Sequence, residues 1–213
     1  MTSALVVGNP TGDLGFAGRE ARAIHDVFYP GGTYLGERGS PAELLNWIAD
    51  RPPGPAVLHF ACHGAVDPRT PADAHLLLAG PAELSVRTLL ESSRKAALDL
   101  QEVFLAACTT SVGGDDHDEV LSLATSFLAA GARTVFGSLW PVPDRETSLL
   151  MFQVHRNLRI KGMTPAYALH AAQLWMLDPA RDTSGIPADL LRDYQPATEF
   201  ELTSWAGFIH TGR

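Results

Sequence analysis

Two short apolar runs, LHFACHG (Leu58 to Gly64) and VFLAACTTS (Val103 to Ser111), constrain this chain most. Each is too brief and too continuously apolar for a surface helix and stops at small or turn-forming residues, so each reads as a buried strand. Unbroken apolar strands suit the middle of a parallel sheet, where both faces are covered. In an open parallel sheet the carboxyl ends of neighbouring strands face one crevice. His63 ends one run and Cys108 the other, so the two are expected to be neighbours in space although 45 positions separate them in the chain.

The surrounding pattern supports such a sheet. Ala4 to Gly8 reads as a first strand, ended by Asn9-Pro10, and a helix is predicted over Gly18 to Phe28 with Ala21, Ile24 and Phe28 inward and Arg19, Glu20 and Arg22 off that side. Thr33 to Leu35 is a short strand. Ser40-Pro41 starts a helix running to Ala49, because Ser caps and Pro suits the first turn. The third strand is Ala56 to Cys62, followed by a Pro- and Asp-rich loop, Val66 to Ala74, a strand at His75 to Ala79 and a short helix at Ser85 to Ser92. Asp99 to Ala107 is the fourth core strand, and Thr109 to Asp118 is a loop leading to a helix over Glu119 to Ala130. Thr134 to Leu139 is the fifth strand, with Trp140 to Asp144 as its exit. Helices over Arg145 to Ile160 and Pro165 to Leu177 follow, then a polar tail with a short helix around Ala188 to Tyr194 and a last strand within Phe200 to His210. This β-α-β-α order predicts a three-layer α/β/α fold on a mostly parallel sheet of about six strands, as one domain over residues 1–213.

Composition narrows the function. A net charge of −8 argues against a nucleic-acid or anionic-membrane surface, since binding there depends on Lys and Arg neutralising phosphate. The chain holds two cysteines, Cys62 and Cys108, so no disulfide framework is expected and a reducing cytoplasm fits. No signal-like leader and no apolar run of ~20 residues are seen, which predicts a cytoplasmic protein.

Strand side chains alternate, which puts His59, Ala61 and His63 on one face and Phe60 and Cys62 on the other. Cys108 is therefore the cysteine expected to work with His63. A thiolate attacks, and an adjacent imidazole takes the thiol proton and later protonates a leaving amine. The backbone N–H groups of Gly64 and Cys108 are the natural donors to an oxyanion, and Gly64 leaves room for a substrate carbonyl. No Asp is spaced as an obvious third member, so a dyad is expected. A buried Cys is most often a small core hydrophobe and a strand-end His a packed one; the case for chemistry rests on the two tips together.

Substrate selection points to Asp115, Asp116, Asp118 and Asp144 as carboxylates that would favour Arg or Lys, with Trp140 as a wall. Against this, Asp118 suits a helix cap, the acidic run suits a solvated surface and Trp140 suits a core. A zinc site from His59 and His63 with His117 or Cys108 lacks short ligand spacing, and Gly8-Asn9-Pro10-Thr11-Gly12 lacks a phosphate-binding lysine, so neither a metal nor another cofactor is expected.

The His-Gly run followed some 45 residues later by Ala-Cys, together with ALVVGNP, AGREARAI, LLLAG, LAAGARTVFGSLWPV, AYALHAAQLWML and SWAGFIHTG, resembles a bacterial CHAT domain of the caspase-like cysteine peptidase superfamily. The resemblance spans nearly the whole chain. It implies a caspase-hemoglobinase fold, His63 as general base and acid, Cys108 as nucleophile, and an endopeptidase acting on a protein partner in bacterial defence or cell death. Family members commonly carry TPR repeats or other sensors, of which this chain shows none. A separate sensor or activator protein is therefore expected, unless the chain is a piece of a longer one. The competing reading is a caspase-like module kept for binding partners rather than for cleavage.

Overall fold

The apolar run near the N-terminus forms β1 (Ser3–Gly8), and it pairs in parallel with β2 (Thr33–Leu35) on one side and β3 (Pro55–Ala61) on the other. β3 pairs in parallel with β7 (Asp99–Ala106), β7 with β8 (Thr134–Ser138), and β9 (Phe208–Gly212) closes the edge antiparallel to β8. The sheet therefore has six strands in the order β2-β1-β3-β7-β8-β9. The structure, a computed structural model, describes residues 2–51, 54–67, 70–80, 83–106, 118–192, 194 and 201–212.

Alternation along the strands divides the core in two. On one face Val57, Ala61, Phe104, Ala106 and Phe136 pack with α1 (Gly15–Phe28), α5 (Asp144–Arg159) and α6 (Pro165–Leu177). On the other Leu58, Phe60, Cys62, Val103 and Leu105 pack with α2 (Pro41–Asp50), α3 (Val86–Lys95) and α4 (Asp118–Ala129). Both faces are covered, which is why β3 and β7 carry no polar alternation in their central residues. Phe104 and Phe136 stack at 4.6 Å between neighbouring strands, each fully buried and each stabilising by about 1.5–3 kcal/mol through lost water contact. The architecture is α/β in three layers on a mostly parallel sheet, as the sequence pattern indicates.

Local chemistry sets the helix starts. Ser40 and Glu43 form a reciprocal capping box at α2, with Pro41 in the first turn. Ser85 caps α3 by accepting from Thr88 N at 3.1 Å. α5 has Asp144 and Glu146 in its first turn and Arg156 and Arg159 in its last, matching the helix dipole at both ends.

Several elements differ from their predicted form. α1 starts at Gly15 rather than Gly18, because a carboxylate from elsewhere in the chain holds its first turn. Most of the loop expected over Val66 to Ala74 is strand: β4 (Gly64–Asp67) and β5 (Thr70–Leu76) form a hairpin extended by β6 (Leu84–Ser85). Its Pro and Asp residues have low strand preference, and backbone pairing with a neighbour overrides that. Ala188 to Leu191 forms successive turns, with Leu191 N bonding Ala188 O at 3.1 Å, rather than a helix. The last strand begins at Phe208, after a single tight helical turn at Leu202–Ser204. Glu20, expected off the buried side of α1, is fully buried.

Candidate active site

The candidate site is built at the carboxyl ends of β1 and β3. β1 stops where Asn9 takes a left-handed turn, φ 49°, a conformation Asn tolerates better than most residues. Its N–H donates to Ala61 O at 2.8 Å, tying the loop after β1 to the end of β3. The Asn9 side-chain oxygen accepts from Leu14 N at 2.8 Å, and Gly12 N donates to Asn9 O at 3.1 Å. The loop is thus folded back on one residue that is itself anchored to β3.

That loop delivers Asp13 to His63. The Asp13 Oδ2 atom lies 2.9 Å from His63 Nε2, and Thr11 Oγ1 donates to the other Asp13 oxygen at 2.5 Å. The Thr11 hydroxyl bond first, then the bond to His63, hold the Asp13 carboxyl below its ordinary value against the opposing effect of desolvation. His63 is 9% exposed while Asp13 remains mostly open to solvent. Sequence reasoning did not find Asp13. The signal available was its place after β1, a strand whose carboxyl end opens onto the same crevice as that of β3.

The other expected site residues fall in different places. Cys62 is 2% exposed and belongs to the core formed with α2, α3 and α4, on the opposite face from Ala61, as alternation predicts. Gly64 opens β4 and pairs with Leu76, and a side chain there would meet Leu123 at 3.4 Å, an ordinary contact. Asp144 accepts from Phe16 N at 3.0 Å, so this carboxylate is engaged in holding the first turn of α1. Trp140 donates from Nε1 to Thr203 O at 2.6 Å and packs against Gly207, next to the core formed with α5 and α6. Asp118 is the first residue of α4. Cys108, Asp115, Asp116 and His117 lie outside the described residues.

Below the site, toward the amino ends of the strands, runs a buried polar chain. His59 Nε2 sits 2.9 Å from Glu20 Oε1, both side chains fully enclosed. His59 Nδ1 is 3.2 Å from His155 Nε2, His155 Nδ1 is 3.0 Å from the Tyr29 hydroxyl, and Arg159 Nε donates to that hydroxyl at 2.8 Å. Arg159 also pairs with Glu102. One placement of protons suits the hydrogen bonds, Tyr29 donating to His155 and His155 to His59, while His59 Nε2 and Glu20 Oε1 meet as a close acid–histidine contact. Burial, and then the neighbouring His59, keep His155 well below the ordinary imidazole value, so it is neutral. Burial raises the Glu20 carboxyl, with His59 opposing. Both His59 nitrogens are thereby used within the protein, which removes it from the zinc set considered from sequence. Among the described residues no cluster of three or more His, Cys, Asp or Glu could hold a metal ion.

A mostly parallel six-strand sheet covered by helices on both faces is consistent with a caspase-like fold. The chain belongs to the CHAT domain family, a group related to the caspase-like proteases: the family model for the CHAT domain matches residues 1–213, its whole length. No curated protein matches it. Among the described residues, no helix is long and apolar enough to cross a membrane.

Proposed function

We propose that this CHAT domain is a cysteine endopeptidase in which Cys108 is the nucleophile and His63 the general base and acid. One observation carries the reading. Ala61 and Ala106 are register partners at the carboxyl ends of the adjacent parallel strands β3 and β7, and His63 and Cys108 each follow their alanine by two residues. The described ends of the two strands are thus in register, and in the sequence each chemistry-bearing residue lies two positions further on.

The reaction follows from those groups. The Cys108 thiol gives its proton to the His63 imidazole, and the sulfur attacks the scissile carbonyl carbon, forming a C–S bond as the carbonyl π electrons move onto oxygen. Backbone N–H groups of Gly64 and Cys108 receive that oxyanion. Collapse breaks the C–N bond, with the imidazolium proton going to the leaving amine. Water then adds to the thioester, its proton taken by His63, and the C–S bond breaks to free the acid and restore the thiol.

The substrate is a protein, cut in the cytoplasm, and a separate sensor or activator protein controls the cutting, within a bacterial defence or cell-death system. Asp115, Asp116 and Asp118 are the carboxylates proposed to favour a basic residue before the cut bond. Asp144 and Trp140 contribute by holding α1 and the segment around Gly207 rather than by direct contact with substrate. A second reading, a non-catalytic interaction module, draws on α6, where Tyr167, Leu174 and Leu177 expose 70%, 53% and 54% of their surface along one side. Thiol labelling separates the two. A peptidase labels at Cys108 ahead of the buried Cys62, and labelling falls in His63→Ala; equal labelling of both cysteines favours the module.

A further inference from the structure

We propose that Asp13 is a positioning residue that fixes the tautomer and orientation of His63, making the Cys108–His63 pair a three-member arrangement. The inference rests on the peptidase reading for its consequence in catalysis, though not for its geometry. The 2.9 Å contact between Asp13 Oδ2 and His63 Nε2 puts the ring proton on Nε2 when the imidazole is neutral, because an ionised carboxylate only accepts. The base lone pair is then on Nδ1, and proton exchange with the thiol is assigned to that atom.

Three features make the contact preorganised rather than incidental. The loop bearing Asp13 is bonded to the strand bearing His63, two residues before the histidine, through Asn9 N and Ala61 O. Thr11 takes up the second carboxylate oxygen, which fixes the rotation of the group. Beyond Asp13 the same segment enters α1, where Asp144 holds Phe16 N and Glu20 meets His59. α1 and β3 are therefore joined by two acid–histidine pairs, Glu20 with His59 in the interior and Asp13 with His63 at the rim. The enclosed pair sets the register of helix on strand, and the rim pair lies where that register brings it. Carboxylates that hold and orient a histidine commonly matter by about 10-fold to 100-fold, and more in a nucleophile–base–acid triad.

The test uses the full chain with uniformly labelled histidine nitrogen, carrying Cys108→Ala to keep it inert, and reads the His63 tautomer from long-range proton–nitrogen correlations. With Asp13 present the neutral ring is expected as the Nε2–H form. In Asp13→Ala it becomes a mixture of tautomers, and in Asp13→Asn, whose oxygen accepts from Thr11 while its NH2 donates to Nε2, it shifts toward the Nδ1–H form. In parallel, the alkylation rate of Cys108 by iodoacetamide is read by mass spectrometry in the otherwise wild-type chain, with an expected fall of about 10-fold to 100-fold for Asp13→Ala and no recovery in Asp13→Asn, whose ring carries its proton on the nitrogen that must accept one. A tautomer population unchanged by Asp13→Ala overturns the proposal. A tautomer that shifts while Cys108 is inert even with Asp13 intact upholds the positioning role of Asp13 and tells against the peptidase reading instead.

Discussion

Replacing Glu20 with alanine strips one member from an acid–histidine pair that is closed to solvent on both sides. His59 Nε2 approaches Glu20 Oε1 at 2.9 Å, and His59 Nδ1 faces His155 at 3.2 Å. Removing one partner of such a pair leaves a donor, or a charge, buried without compensation, and costs about 3–5 kcal/mol. For a domain of this length that corresponds to a fall in Tm of roughly 6–20 °C. Glu20→Gln keeps the volume and a carbonyl acceptor while removing the ionisable group, so its loss is expected at about 1–2 kcal/mol. Urea unfolding of the three proteins, with slopes compared to confirm that the denatured states match, measures both values. A loss below about 1 kcal/mol for Glu20→Ala, or equal losses for the two variants, would refute the buried pair as the element that joins α1 to β3.

Stability should decline as pH drops below about 6.5. Folded His155 excludes a proton that the unfolded chain binds there, so the unfolded state carries more protons and gains as pH falls; above that value the contribution is constant. His155→Gln removes the titrating group, and its urea midpoint should change less with acidification than that of the wild type; parallel curves would show that His155 is not the source. Gly207→Ala places a Cβ within 2.6 Å of the Trp140 ring and 2.8 Å of Ser138 Oγ, so a loss of about 1–3 kcal/mol and a shifted tryptophan emission are expected. Thermal unfolding with the wild-type midpoint and spectrum would contradict that packing. Cys62→Ala should cost about 1–2 kcal/mol in stability from its buried position and leave peptide cleavage unchanged. A loss of cleavage with the fold intact would move the nucleophile assignment away from Cys108.

The parts of this molecule that follow from periodicity were legible in advance. Alternation alone put His59 and Cys62 on opposite faces, and His59 lies against Phe104 of one core while Cys62 belongs to the other. Capping chemistry located the start of α2 to the residue. What escaped depends on contacts between distant segments. Asp13 lies fifty positions before His63, and nothing local in a Gly-rich loop marks a carboxylate as a histidine partner. Glu20 reads as a surface residue on α1 until the strand beneath it supplies His59, because a charge is tolerated inside only with a partner that sequence spacing does not reveal. A strand at His75 was expected, but its extension back to Thr70 and its partner β4 escaped for the same reason: Pro71, Asp67 and Asp73 oppose a strand locally, and pairing to the neighbouring strand decides otherwise. Asp144 and Trp140, weighed from sequence both as pocket residues and as structural ones, make hydrogen bonds to Phe16 and Thr203 that no local pattern announces.

Cleavage of a peptide library by the wild-type chain and by Cys108→Ala, side by side and with the activating partner where one is identified, tests the central assignment most directly. A single family of cut sites in the wild type, absent in Cys108→Ala and in His63→Ala, is the expected result. Cleavage at the same sites and rate by Cys108→Ala would contradict it.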